Sequence, residues 1–291
     1  MHRSNWAAIA AGGRVRESFI VAFIPGFGPL AGAPWFCNSR REETGGARQV
    51  NWPYPRMIAH RGAGTLAPEN TLAAIRLGAS FGYTMFEFDV KLAGDGVLVL
   101  MHDATLERTT DGTGRVAGHA FGELARLDAG SWHSPAYAGE SIPTLERVAR
   151  WLLRNGLMAN IEIKPCPGRE AETGAAAALE ARRLWRGALA LPILSSFSQE
   201  ALEATRRVAP ELPRALLFGE LPEDWAQRCL ALGCAALAAR EAGLTDPVIA
   251  AAHRAGLRVI GYTVNDPARA AALFGWGLDA LVTDAVDRIA P

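Results

Sequence analysis

Two short stretches constrain this chain more than any others: Met85-Phe86-Glu87-Phe88-Asp89-Val90 and Asn160-Ile161-Glu162-Ile163-Lys164. Both alternate between apolar and polar residues. A β-strand sends successive side chains to opposite faces, so Phe86, Phe88 and Val90 point one way while Glu87 and Asp89 point the other. In the second stretch Ile161 and Ile163 oppose Glu162 and Lys164. Central strands of an α/β protein are covered on both sides and read as near-continuous apolar runs. Three carboxylates and a lysine along one face therefore mark an interior that carries chemistry. The alternative is a pair of half-exposed strands with solvated outer faces.

The rest of the chain supplies the framework for such an interior. Met57-Ile58-Ala59 is a short apolar strand ending in His60-Arg61-Gly62. Helical spacing of Leu72, Ile75, Leu77 and Phe81 follows, with Asn70 or Thr71 able to cap its start. Strand 84–90 then meets the turn signal Gly94-Asp95-Gly96 and a second apolar run, 97–101, closing on His102-Asp103. The connection is too short for a parallel crossover, so an antiparallel hairpin is predicted, with Glu87 and His102 as neighbours across it. A long stretch rich in Thr, Gly, Asp and Trp runs to Pro143, and loops of that length usually serve a binding site.

From Thr144 onward helices and strands alternate. Helices are predicted over 144–155, 170–185, 199–208, 222–232, 246–255 and 267–274. Strands are predicted over 157–163, 193–197, 214–218, 235–239, 257–264 and 280–282. With 57–59 and 84–90 this makes eight parallel strands, which argues for a closed (β/α)₈ barrel, the TIM-barrel architecture, with 97–101 as an extra hairpin strand and a long insertion after it. No G-x-G-x-x-G opens a helix after a strand, so no nucleotide cofactor is implied.

Residues 1–54 read as an irregular extension and 55–291 as the folded domain. The apolar run Phe19–Ile24 stops after six residues and is followed by prolines and glycines, far short of the roughly 20 residues that a membrane span needs. This extension is either loosely ordered or sequence upstream of the true start. A secretory signal is the sharper alternative, because Arg14 and Arg16 precede the apolar run and Ala31-Gly32-Ala33 resembles a cleavage site. Thirty Lys+Arg balance thirty Asp+Glu, so there is no basic field to gather nucleic acid, and a small-molecule partner is expected. Cys37, Cys166, Cys229 and Cys234 fit neither a disulfide framework nor a zinc pattern. They read as free thiols in a reducing compartment, hence a cytoplasmic location, with export as the alternative.

In this assignment His60, Glu87, Asp89, His102, Glu162 and Lys164 all fall at or near strand ends, where (β/α)₈ barrels hold their active sites. Crowded carboxylates in a low-dielectric interior must be protonated, paired or bound to a cation. Glu87, Asp89 and Glu162 offer oxygen ligands only, which suits Mg²⁺ or Ca²⁺ rather than zinc. Arg61 and Lys164 add positive charge suited to a phosphate. Of two histidines beside such a site, one imidazole takes a proton from an attacking hydroxyl and the other gives one to a leaving oxygen. His2, His119, His133 and His253 read as structural or surface residues. Glu69 is a further ligand, an orienting base or a first-turn helix acid.

At these residues the sequence resembles the glycerophosphodiester phosphodiesterases. The resemblance is carried by His60-Arg61-Gly62, Pro68-Glu69-Asn70-Thr71, Glu87-Phe88-Asp89-Val90, His102-Asp103, Ile161-Glu162-Ile163-Lys164-Pro165 and Ser195-Ser196-Phe197, in that order. It runs from about Pro55 to Pro291 and includes Gly130-Ser131-Trp132, Ile142-Pro143-Thr144-Leu145 and Thr283-Asp284. It implies a barrel related to phosphoinositide phospholipase C, a divalent metal, and hydrolysis of glycerophosphodiesters to glycerol 3-phosphate and an alcohol. By position it implies His60 and His102 as the acid/base pair, Glu87, Asp89 and Glu162 as metal ligands, and Arg61 and Lys164 as phosphate-binding residues. Tyr262 stands where many relatives have tryptophan, as an aromatic wall against the substrate. Two rival readings accompany it: the same chemistry on a lysophospholipid, for which only Phe19–Phe36 offers an apolar surface, and a barrel that binds phosphorylated ligands without catalysis.

Overall fold

The computed structural model describes residues 52–291. The 1–51 part of the predicted extension, with His2 and Cys37, lies outside the described residues. The strands are β1 (Met57–Ala59), β2 (Met85–Leu92), β3 (Leu98–Leu100), β4 (Met158–Ile163), β5 (Ile193–Ser196), β6 (Arg214–Phe218), β7 (Ala236–Arg240), β8 (Arg258–Tyr262) and β9 (Ala280–Thr283). They form one sheet in the order β1-β9-β8-β7-β6-β5-β4-β2-β3, and β1 also pairs with β2. All pairs are parallel except β2 with β3. The eight parallel strands therefore close into the predicted (β/α)₈ barrel, and β3 is the extra hairpin strand.

Eight helices accompany them among the described residues: α1 (Leu72–Ser80), α2 (Phe121–Leu124), α3 (Leu145–Arg154), α4 (Glu170–Leu184), α5 (Gln199–Val208), α6 (Trp225–Ala231), α7 (Asp246–Arg254) and α8 (Pro267–Gly275). Local chemistry explains where they start. The Thr71 hydroxyl accepts the Ala74 N–H at 3.1 Å, Thr144 that of Arg147 at 3.1 Å and Ser198 that of Ala201 at 3.1 Å, each satisfying an orphan donor of the first turn. On α3, Leu145, Val148, Ala149 and Leu152 are buried, the i, i+3, i+4, i+7 stripe that faces a sheet. Helices α4 and α5 approach so closely at Gly174 that a Cβ there would lie 2.2 Å from the Ala201 carbonyl oxygen. Helix α6 starts three residues later than its predicted 222, because Pro222 opens a turn in which the Trp225 N–H bonds back to the Pro222 carbonyl at 3.2 Å.

Alternation decides what faces inward. Ile58, Met85, Ile193, Ala215, Leu217, Ala236, Ala238, Ile260, Ala280 and Val282 pack together inside the barrel. Phe86, Phe88, Val90, Ile161 and Ile163 face outward and pack against α3 and α4 residues such as Val148, Leu152, Ala177 and Ala181. Two residues on from the inward apolar set come His60, Glu87, Ser195, Arg240, Tyr262 and Asp284, so the period of two turns an apolar floor into a polar mouth at the carboxyl ends.

Strand β2 is longer than its neighbours. Its first part pairs with β4 from Met85 to Val90, and Val90, Lys91 and Leu92 pair with β3. The hairpin thus rises above the barrel and returns to the mouth at His102. The insertion that follows has a small core of its own, in which Val99, Met101, Leu106, Val116, Leu124 and Ile142 are buried together. Phe88 is fully buried between barrel and helices, so Phe88→Ala is expected to cost about 3–5 kcal/mol, read as a lower urea midpoint with an unchanged slope.

Candidate active site

The peptide geometry of the β1–α1 loop sets up one side of the site. Arg61 and Asn70 have φ of 50° and 60°, and Gly62 and Gly64 have φ of 105° and 57°. This tightly wound loop turns the Arg61 N–H onto Glu87 Oε2 at 3.1 Å. Asn70 does not cap α1, a task that falls to Thr71. Its amide instead brackets Asp89, donating to Oδ2 at 2.8 Å and accepting the Asp89 N–H at 3.0 Å.

Glu87, Asp89 and Glu162 converge as predicted. One oxygen of each lies within 4.8 Å of the others, and all three residues are buried. Glu87 Oε1 is buried without a hydrogen-bond partner, and the buried Asp89 Oδ1 and Glu162 Oε1 meet only the Lys164 ammonium, at 3.7 and 3.0 Å. Asn160 Oδ1 and Ser195 Oγ are likewise buried and partnerless, so the polar interior extends around the carboxylates. Burial, with the charges of Asp89 and Glu162, pushes Glu87 well above the usual carboxylate range. Burial and the Asp89 charge push Glu162 up to about 7 against the pull of Lys164. Burial opposes ionisation of Asp89 too, but the charges of Arg61 and Lys164, with the hydrogen bond from Asn70, outweigh it and hold its pKa below the usual value. Three such groups ionise together only around a cation. The all-oxygen set and the orphaned Glu87 Oε1 fit a hard divalent ion.

Both predicted histidines sit beside this cluster, and each is anchored at Nδ1 by a carboxylate. His60 Nδ1 lies 2.5 Å from Asp284 Oδ1, and its Nε2 lies 3.8 Å from Glu87 Oε2. His102 Nδ1 lies 2.6 Å from Asp103 Oδ1, and its Nε2 meets Lys164 Nζ at 2.8 Å. An ammonium only donates, so His102 is the neutral tautomer that carries its proton on Nδ1. Burial lowers its pKa in the same sense. The expected Glu87–His102 proximity gives way to a different pairing. The Met101 N–H bonds to the Asp89 carbonyl, so the hairpin register sets His102 beside Lys164 and Asp89, while Glu87 neighbours His60.

The cations take up positions around the triad. Lys164 Nζ lies 3.0 Å from Glu162 Oε1 and 3.7 Å from Asp89 Oδ1. Arg61 Nε lies 3.4 Å from Asp89 Oδ2, and its Nη1 donates to Glu69 at 3.0 Å. Glu69 stays outside the triad, because Arg108 clamps it with two hydrogen bonds of 2.7 and 2.8 Å. It pairs with Arg61 instead, and it is no first-turn acid, since α1 starts only at Leu72. The Tyr262 hydroxyl donates to the Phe218 carbonyl at 2.8 Å, and its ring meets that of Phe197 edge to face at 6.1 Å.

Sequence reasoning gave no role to Asp284, Asn265, Asp103 or Arg108. Asn265 donates to Asp284 Oδ2 at 3.1 Å and accepts the Asp284 N–H at 2.8 Å, which fixes the carboxylate that orients His60. Arg108 reaches from the insertion to Asp103 Oδ2 at 2.6 Å. Its hydrogen bonds, with burial opposing, hold Asp103 well below the usual carboxylate range. Asp103 and Asp284 each follow a strand-end residue in the sequence, a signal that was present but carried no partner. His119, His133 and His253 bond Thr113, Thr65 and Asp279, the structural roles expected of them.

A (β/α)₈ barrel whose mouth joins a carboxylate triad, two anchored imidazoles and two cations is a hydrolase framework for an anionic substrate. The model of the glycerophosphoryl diester phosphodiesterase family matches residues 60–288. The Bacillus subtilis protein YhdW is 36% identical over 242 residues, 80% of this chain and 96% of its own. A glycerophosphodiester phosphodiesterase of Caldanaerobacter subterraneus is 31% identical over 233 residues, 78% of this chain and 93% of its own. An Oleispira antarctica phosphodiesterase, solved with the product sn-glycerol-3-phosphate, superposes with a TM-score of 0.77 at 38% identity, covering 81% of this chain and 95% of that one. The chain belongs to the glycerophosphoryl diester phosphodiesterase family.

Gly64 carries the tightest constraint on the His60 side. A Cβ there would lie 2.1 Å from the Asp284 carbonyl oxygen. Gly64→Ala is therefore expected to destabilise the fold by about 1–3 kcal/mol and to shift Asp284 away from His60. Chemical denaturation measures the first effect, and the His60 imidazole NMR resonances report the second.

Proposed function

We propose that the protein hydrolyses glycerophosphodiesters to glycerol 3-phosphate and an alcohol with a divalent ion, Mg²⁺ or Ca²⁺, on Glu87, Asp89 and Glu162. The observation that carries the reading is the buried set of three carboxylates, one oxygen of each within 4.8 Å of the others, flanked by two imidazoles that each have a carboxylate on Nδ1. A bound ion supplies charge neutralisation at the non-bridging phosphoryl oxygens. Arg61 and Lys164 hold the phosphate by charge-assisted hydrogen bonds. One imidazole takes a proton from the nucleophile, either water or the neighbouring glycerol hydroxyl with water then opening the cyclic phosphate, as the new P–O bond forms. The other delivers a proton to the leaving ester oxygen as its bond to phosphorus breaks, and the alcohol leaves neutral. Asp284 and Asp103 hold the two rings with Nε2 toward the substrate and stabilise whichever imidazolium forms. Tyr262 and Phe197 wall the site.

Residues 55–291 carry this activity in the proposed reading. No helix among the described residues is long and apolar enough to cross a membrane. Cys166, Cys229 and Cys234 are free thiols, which supports a cytoplasmic setting.

The test is release of glycerol 3-phosphate from glycerophosphocholine, with Mg²⁺ or Ca²⁺ and with chelator. Release that requires the metal and falls about 10²- to 10⁴-fold in His60→Ala and His102→Ala supports the reading; metal-independent release, or variants as active as the parent, refutes it. Glu162→Gln is expected to weaken binding of the ion itself in a calorimetric titration, independently of turnover. Unchanged affinity would remove the triad from the metal site.

A further inference from the structure

Helix α6 ends in a turn that sets two cysteines side by side. The Gly233 N–H bonds back to the Leu230 carbonyl at 3.0 Å and the Cys234 N–H to the Cys229 carbonyl at 2.9 Å. Gly233 supplies the left-handed φ of 62° that such a turn requires. With Leu232 as the cap, this pair of bonds is the Schellman ending, in which the side chains joined by the longer bond come into contact. Here those side chains are Cys229 and Cys234. Both are buried in one apolar cluster with Leu216, Leu232 and Leu237, and their thiols hydrogen-bond to each other.

A buried guanidinium lies beside the pair. Arg214 is 6% exposed, and its hydrogen bonds all go to carbonyls: Leu212 at 2.8 Å, Gly233 at 2.9 Å, Pro210 at 3.2 Å and Leu232 at 3.3 Å. Carbonyls satisfy its donors but do not neutralise its charge, and a buried charge calls for an opposite one. Cys234 acts on that charge more strongly than Glu211, the acid that also reaches it. Arg206 adds positive charge at the same helix end, where it bonds the Ala231 carbonyl at 2.6 Å. The hydrogen bond from Cys229, with the Arg214 charge and the Leu216 N–H, holds the Cys234 thiol below its ordinary range against the effect of burial. The same contact, with burial, pushes Cys229 up. Cys234 is 8% exposed and Cys229 not at all, so a small reagent from solvent meets Cys234 first.

We propose that Cys229 and Cys234 form a peroxide-reactive dithiol, with Cys234 as the attacking thiolate and Cys229 as the resolving thiol. The Cys234 sulfur attacks one oxygen of a hydroperoxide, so that an S–O bond forms as the O–O bond breaks, and the departing oxygen takes the Cys229 thiol proton. Cys229 then attacks the sulfenic sulfur. The S–S bond forms, the S–O bond breaks, and the released hydroxide takes up the proton that Cys234 gave up on ionising. With hydrogen peroxide, two thiols become one disulfide and the peroxide becomes two waters, a two-electron exchange. Buried cysteines commonly serve as small apolar residues, a role that calls for neither a second thiol nor a guanidinium. The pair lies where α6 hands over to β7, at the amino ends of the parallel strands, whereas the carboxylates lie at the carboxyl ends. This chemistry is therefore independent of phosphodiester hydrolysis.

The test treats the reduced, folded full-length protein with one equivalent of hydrogen peroxide and follows each thiol by alkylation and peptide mass. A Cys229–Cys234 disulfide is expected, lighter than the reduced pair by two hydrogens. It should form at least about threefold faster than Cys166 is oxidised, the net gain when a tenfold larger thiolate fraction is offset by lower nucleophilicity. Cys166 is similarly buried at 6%, so the comparison separates activation from access. Dimedone, which captures sulfenic acids, should label Cys234 in Cys229→Ser and leave Cys229 unlabelled in Cys234→Ser. Thiols that stay reduced, a rate no greater than that of Cys166, or a dimedone label on Cys229 overturns the inference.

Discussion

Three carboxylates held within 4.8 Å of one another in a buried interior are the interaction on which the rest of this structure depends. Left alone they repel, and burial raises the cost of ionising each of them. Nearly every polar feature around the mouth answers that problem. Asn70 grips Asp89, the Arg61 N–H grips Glu87, and Lys164 lies against Glu162. The outcome is uneven, with Asp89 easily ionised and Glu87 and Glu162 reluctant. A divalent ion is the group that would reconcile the three. Such a cluster is poor for stability and good for function, since apolar residues of similar size would pack there at lower cost.

The apolar floor and the polar mouth are two ends of a single pattern. On each barrel strand the inward positions recur every second residue, so moving one step toward the carboxyl end exchanges Met85 for Glu87 or Val282 for Asp284 without changing the backbone. The floor gives the rigidity, and the loops beyond the strands supply the groups that hold the reacting side chains in place. The insertion contributes to both. Its own small core fixes Arg108, whose bonds to Glu69 and Asp103 tie the Arg61 side of the site to the His102 side. Each imidazole is thereby oriented from outside the barrel, His60 through Asp284 and Asn265, and His102 through Asp103 and Arg108.

The exposed surface of the mouth is not symmetrical about the carboxylates. Toward Arg61 the side chains are charged and mutually paired. Toward Phe197 they mix Pro165, Pro167 and the Phe197 ring with Lys91, Glu170, Ser196 and Ser198. A phosphodiester has two different substituents, and an asymmetric mouth is a means of telling them apart by their chemistry rather than by their size.

Much of this was legible in the sequence because local rules suffice for it. Period-two alternation set which side of β2 and β4 faces inward, and Glu87, Asp89 and Glu162 followed as one cluster. Repeated strand and helix signals gave the barrel, since eight such units close on themselves. Which side chains touch was another matter. The neighbour of His102 depended on the hairpin register, which the Met101–Asp89 bond sets across the top of β2. Asp284 is 224 positions from His60 in the chain, and only closure of β9 onto β1 brings them together. Glu69 had three open readings in the sequence, and Arg108 is an ordinary surface-type charge there. Their roles came from loops folding over the barrel mouth, a long-range arrangement that no local periodicity encodes.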